Sequence, residues 1–280
     1  MAKTALALKV SLAMLAFAAN SVLCRLALKG GHIDPFSFSS LRLLSGALVL
    51  LPFLFLHTKS SISVWRPLSG FYLMVYAVFF SVAYIHLDTG AGALLLFGAV
   101  QFAMVMYGLF KGESLSVLRA SGLMLALAGI AILLLPGAKA PPIFSAVLMI
   151  VAGLSWAAYS ITGRKTQNAG ASTAANFVLA VPMAIILSVL SIKEGHYDTV
   201  GIALSLLSGA VASAGAYVLW YTLPSLGSIT ASTIQLSVPC LAMLGGVVFL
   251  GESLTSRMVF SALAVLVGIV MVTQEKKPTV

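Results

Sequence analysis

Gly112-Glu113-Ser114-Leu115 and Gly251-Glu252-Ser253-Leu254 are the same tetrapeptide, 139 residues apart. The same offset carries Arg25 onto Arg164, Phe17 onto Trp156, Phe110 onto Phe249, Gly129 onto Gly268 and Ala18-Ala19 onto Ala157-Ala158. In a chain that is 60% hydrophobic, coincident Leu or Ala residues carry no weight. A shared Gly-Glu-Ser-Leu and a shared Arg at one spacing do. The chain is therefore read as two copies of one unit, residues 1–139 and 140–280, within a single membrane domain.

Composition says what that unit is made of. Only 8% of residues are charged and mean hydropathy is +1.08, whereas a soluble domain carries about 25% charged residues. Too little charge remains to cover a solvated surface, which excludes a water-soluble globular protein. The net charge of +9 comes from 16 basic residues against 7 acidic ones, and no basic run exceeds two residues. That pattern places Lys and Arg at the cytoplasmic ends of membrane spans and argues against nucleic acid as a partner. The expected partners are a small-molecule substrate and membrane lipids. Cys24 and Cys240 both fall in apolar segments and read as small packing residues, too few for a disulfide scaffold.

A helix crossing the hydrocarbon core needs about 20 mostly apolar residues. Breaking the chain at charged, Gly and Pro clusters predicts ten such segments, at 5–28, 36–57, 68–87, 90–110, 117–136, 142–163, 172–193, 199–222, 227–250 and 256–273. The runs are continuous rather than alternating, so the fold class is all-α and not a barrel. Ala16-Phe17-Ala18 resembles a signal-cleavage site, but the apolar run continues to about Leu28 and is read as a retained first span. With both termini in the cytoplasm, ten Lys and Arg residues lie inside (Lys3, Lys9, Lys59, Arg66, Lys111, Arg119, Arg164, Lys165, Lys276 and Lys277). Five lie outside (Arg25, Lys29, Lys139, Lys193 and Arg257), so this orientation, across the inner (plasma) membrane, is the expected one.

The offset spans five helices, an odd number, so the second copy enters the membrane from the opposite side to the first. Secondary transporters with inverted repeats hold substrate near the midplane between the copies and exchange conformations between them, an alternating-access mechanism. The arrangement resembles the drug/metabolite transporter superfamily, and specifically its EamA-type ten-helix members. The resemblance covers nearly the whole chain. It rests on Phe17-Ala18-Ala19-Asn20 with Arg25, on Trp156-Ala157-Ala158-Tyr159 with Arg164, on Leu41-Arg42, on the two Gly-Glu-Ser-Leu segments and on Pro239. His86 to Gln101 looks most like the YddG branch, whose members export amino acids, notably aromatic ones. The resemblance thus implies an exporter of aromatic or other apolar amino acids. Purines, nucleotide sugars and drugs are the alternative cargoes. Val100-Gln101 stand where the second copy has Pro239-Cys240, a departure that leaves one half without the proline.

Polar groups at membrane depth are costly and become functional candidates. The expected substrate-binding residues are Asn20, Tyr84, His86, Gln101, Trp156 and Tyr159, with Pro239 as a hinge. Gln101 offers both donor and acceptor in mid-helix. Trp156 and Tyr159 offer aromatic faces, and Asn20 lies in mid-span. His86 falls at the end of the third span, either a pathway residue or a solvated loop residue. Arg42 is read as paired or snorkelling and is not assigned to substrate. Glu113 and Glu252 are read as starting or capping the helix that follows each. No Asp or Glu falls in mid-span, which disfavours carboxylate-based antiport of cations and favours a zwitterionic or neutral cargo. No phosphate loop, metal-ligand motif or nucleophile motif is present in the sequence, so neither enzyme activity nor a cofactor or metal is expected.

Overall fold

The computed structural model describes residues 2–55, 64–112, 116–136, 140–163, 168–191, 195–221 and 237–273. Seven helices come first: α1 (Ala2–Lys29), α2 (Pro35–Phe55), α3 (Pro67–Tyr84), α4 (Thr89–Phe110), α5 (Val117–Leu134), α6 (Ile143–Gly163) and α7 (Ala169–Leu190). The next, α8, runs as Thr199–Leu207, widens to a π-helix over Ser208–Gly215 and resumes as Ala216–Tyr221. α9 (Ser237–Leu250) and α10 (Ser256–Thr273) complete the set. Eight of these helices are long and apolar enough to cross a membrane, and α9 and α10 are shorter apolar helices. Among the described residues there is no strand, only one isolated bridge between Ile33 and Tyr197. The start of the ninth expected span, 227–236, lies outside the described residues.

The repeated tetrapeptide has a local physical reason. Gly112 follows α4 with φ of 84° and Gly251 follows α9 with φ of 64°, a left-handed conformation that costs glycine nothing and other residues much. After the second turn, the Glu252 amide donates to the Gly246 carbonyl at 3.1 Å, closing the last turn of α9. The helix that follows begins on a hydroxyl: Ser116 accepts from the Arg119 amide at 3.3 Å and Thr255 from the Met258 amide at 3.1 Å. Both are side-chain caps of the ordinary N-terminal kind.

Packing pairs the two copies crosswise. α1 of the first copy lies against α8 and α9 of the second, and α6 of the second lies against α3 and α4 of the first. α2 packs on α7, and α5 on α10. The α5–α10 crossing is backbone on backbone. A Cβ on Gly122 would stand 2.6 Å from the Gly268 carbonyl oxygen, and one on Gly129 would stand 2.9 Å from that of Ser261. The offset of 139 converts the first of these contacts into the second. Close helix approach through small residues is the usual source of association in lipid, where the hydrophobic effect does not act between helices.

The copies also run in opposite senses. Glu252 bonds Thr89, the first residue of α4, while Gly112 follows the last. α4 has 22 residues, about 33 Å at 1.5 Å per residue. The two Gly-Glu turns thus lie at opposite ends of the bundle.

Candidate functional site

Every helix except α5 and α10 contributes to one central cavity of about 70 Å³, several times the space a single water needs. α1 supplies Phe17, Asn20 and Ser21, and α6 supplies Trp156. Phe17 and Trp156, matched by the repeat, therefore face the same space. A run of rings forms much of the wall: Tyr76 lies 4.8 Å from Trp156, Trp156 lies 6.1 Å from Tyr217, and Tyr217 lies 5.8 Å from Phe17, centre to centre. Such spacings lie in the range of favourable aromatic pairs. The Asn20 carboxamide oxygen accepts a 2.6 Å bond from the Ser208 hydroxyl, at the first residue of the π-helical stretch.

Arg42 of α2 also lines this cavity. It is only 4% exposed. Its Nε donates to the Ser213 hydroxyl at 3.3 Å and its Nη2 to the Tyr76 hydroxyl at 3.2 Å. The guanidinium carbon sits 5.2 Å from the ring centres of both Tyr76 and Phe80, within cation–π range. Among the described residues Nη1 has no hydrogen-bond partner and no acidic side chain lines the cavity. A buried cation costs several kcal/mol unless something neutralises it.

One helical turn beyond the cavity, towards the end where α3 meets α4, lies a second buried arginine with opposite surroundings. Arg25 Nε sits 3.4 Å from the Glu252 carboxylate and Nη2 sits 3.5 Å from that of Asp88. Nη1 donates to the carbonyls of Tyr84 and Ile85 at 2.8 and 2.6 Å. Glu252 in turn accepts from the Thr89 amide at 2.8 Å and from its hydroxyl at 3.1 Å. Burial pushes the Glu252 carboxyl above the ordinary glutamate value, while Thr89 and Arg25 pull it back. The cluster ties α1, the α3–α4 turn and the α9–α10 turn together. The expectation that Glu252 caps the helix after it is therefore corrected. Thr255 caps α10, and the Glu252 carboxylate crosses to the N-terminus of α4, whose unpaired amides favour an anion.

Of the residues expected at the substrate site, Asn20 and Trp156 line the cavity. Tyr159 is buried beside it, its ring 5.4 Å from Trp156. Tyr84 is fully buried in the Arg25 cluster and donates to the Thr89 carbonyl at 3.2 Å. His86 is exposed in the α3–α4 turn, lining a separate cleft of about 250 Å³ with Asp88 and Arg257. Gln101 is half-buried on α4, one turn past Phe97 and outside the lining. Pro239 stands in the first turn of the described part of α9, next to the lining residue Val238. Both cysteines are free, Cys24 buried and Cys240 exposed. Glu113 and Arg164 lie outside the described residues.

Two successive matches to the EamA-like transporter family cover residues 5–135 and 143–274. The chain belongs to the EamA-like transporter family. As a member it is a multi-pass membrane protein that carries small molecules. A Pseudomonas aeruginosa protein, described as uncharacterized, is 47% identical over 265 residues, covering 93% of this chain and 92% of its own. An Archaeoglobus fulgidus protein described as an uncharacterized transporter is 28% identical over 230 residues, or 76% of this chain and 78% of its own. A crystal structure at 16% identity superposes with a TM-score of 0.59 over 94% of this chain and 96% of its own, a likeness of fold. The EamA-like match explains why Phe17 and Trp156 share a register: each is contributed by the first helix of one repeat.

Proposed function

We propose that this EamA-like carrier exports amino acids with aromatic or other apolar side chains, or related small metabolites, from the cytoplasm. Transport runs by alternating access between the halves 1–139 and 140–280, in the inner membrane and with both termini inside. One observation carries the reading: a single cavity between crosswise-packed copies, walled by rings and flanked by Asn20. Rings offer an apolar side chain a matching surface, and an amide offers the ammonium or carboxylate a hydrogen bond. A nucleotide sugar carries two negative charges and fits this space poorly, since Arg42 alone among the described lining residues is charged.

In this cycle the Arg25 cluster is the closed gate of one end, and opening that end separates Arg25 from Glu252. Pro239 is the hinge at the mouth of α9, next to a cavity-lining residue. Replacing Pro239 with Ala is expected to change turnover more than membrane insertion, and unchanged transport removes the hinge role. The direct experiment is uptake into proteoliposomes loaded first with phenylalanine and then with a purine. Exchange of phenylalanine alone supports the reading, and exchange of the purine alone replaces it.

A further inference from the structure

Among the described residues the cavity has one charged group, and its charge has no counterpart. Arg42 is almost wholly buried, its Nη1 lacks a partner, and the remaining lining is neutral. From this juxtaposition we infer that Arg42 anchors the carboxylate of the substrate, and that the carboxylate is required for binding while an ammonium group is dispensable. The inference rests on the carrier reading above and narrows its substrate class to small organic monocarboxylates.

The argument is one of charge and shape. An empty cavity leaves a cation without an anion in a low-dielectric setting, which is unfavourable. A monocarboxylate cancels it and supplies the acceptor that Nη1 lacks, as a charge-assisted bond. A phosphate ester, with close to two negative charges, would leave one buried and uncompensated. A free amine adds a second cation to a cavity that holds no anion. Ser213 accepts from Nε and Tyr76 from one hydrogen of Nη2, which fixes the plane of the guanidinium. From Tyr76 the aromatic wall continues to Trp156 and Tyr217, so an apolar body attached to the carboxylate meets rings rather than polar groups.

The test is thermal unfolding of the full-length purified protein in detergent with matched ligands: benzoate, 3-phenylpropionate, 3-phenylpropionamide and phenethylamine. A ligand that binds the folded state raises the unfolding temperature. At least one carboxylate is expected to raise it, with the amide and amine at least about tenfold weaker, as loss of a hydrogen bond to a charged group implies. The shift disappears in Arg42→Gln and is weakened in Arg42→Lys, which keeps the charge but loses the planar fork. Equal shifts from the amide or the amine overturn the inference, and so does the absence of a shift from every carboxylate. If Arg42→Gln does not fold, the ligand series on the unaltered protein still decides. Should phenylalanine not be transported while 3-phenylpropionate still shifts unfolding, the amino-acid reading fails and the anchor stands. Should phenylalanine be transported with unchanged KM by Arg42→Gln, the anchor fails and the carrier reading stands.

Discussion

At the crossing of α5 and α10, Gly122 meets Gly268, and the same contact recurs, moved by the repeat offset, where Ser261 meets Gly129. At the cavity the equivalence is only partial: Phe17 and Trp156 match, but Arg42, Asn20 and Ser213 have no like counterpart. Arg42 on α2 has Val181 of α7 at the same offset, Asn20 has Tyr159, and Ser213 has Met74. The repeat is kept in full where backbones touch and only in part around the cavity. A two-state carrier needs its halves to be mechanically interchangeable, so that both conformations have similar energy. A substrate is itself asymmetric, and recognition calls for different groups at its two ends. The π-helical stretch marks the same divide, since it falls in α8, and its counterpart in α3 is ordinary α-helix.

The two buried arginines give the sharpest way to break this comparison. Arg25→Met leaves Glu252 buried without its cation and is expected to cost about 3–5 kcal/mol of stability. Arg42→Met removes a cation that nothing neutralises, and is expected to leave the empty carrier unchanged or more stable by about 1 kcal/mol. Chemical unfolding of the two variants in detergent reads both, and equal losses would erase the distinction between gate and site. Next, Gly129→Ala and Gly268→Ala, related by the repeat, each force a methyl group against a facing carbonyl, that of Ser261 and that of Gly122. Each is expected to cost about 1–3 kcal/mol, with the two alike to within about 1 kcal/mol, and a large inequality would break the mechanical equivalence of the halves. Then Trp156→Ala is expected to lower transport about tenfold, about 1.4 kcal/mol. Gln101→Ala, outside the lining, is expected to lower it less, and proteoliposome uptake compares them.

The smallest effect concerns the loops. The Gly201 amide, and after it His32, holds the Asp198 carboxyl below its usual value, and His32 Nδ1 lies 2.8 Å from it. The folded state then favours the ionised form. The stabilisation is complete above the unfolded value of about 3.9 and is lost as pH falls through the lower folded one. Asp198→Asn is expected to flatten a slight loss of stability below about pH 4, measured by unfolding between pH 6 and 3. A profile identical to that of the unaltered protein removes the effect.

Much of the architecture is legible in the sequence because lipid permits so few solutions. Ten apolar runs lead to ten helices, and Gly-Glu-Ser-Leu, repeated because glycine is needed at each left-handed turn, marks an offset of five helices and so an inverted pair. Asn20 and Trp156 stand out because amides and tryptophans are rare in such runs. Arg42 does not stand out as a cavity residue, for a physical reason. α2 is apolar all round, so the pattern gives no sign of which face looks inward, and an arginine there reads equally as snorkelling. The role of Glu252 is hidden differently. Its partners Thr89 and Arg25 are 163 and 227 residues away, and a local reading finds only the nearest helix start. The π-helical widening of α8 carries no compositional signal at all.

The glycine crossing of α5 and α10 has a consequence for motion. The two backbones are in direct contact there, and among the described residues neither helix lends a side chain to the cavity wall. In the carrier cycle proposed above, that pair is expected to stay fixed while the helices that line the cavity move against it.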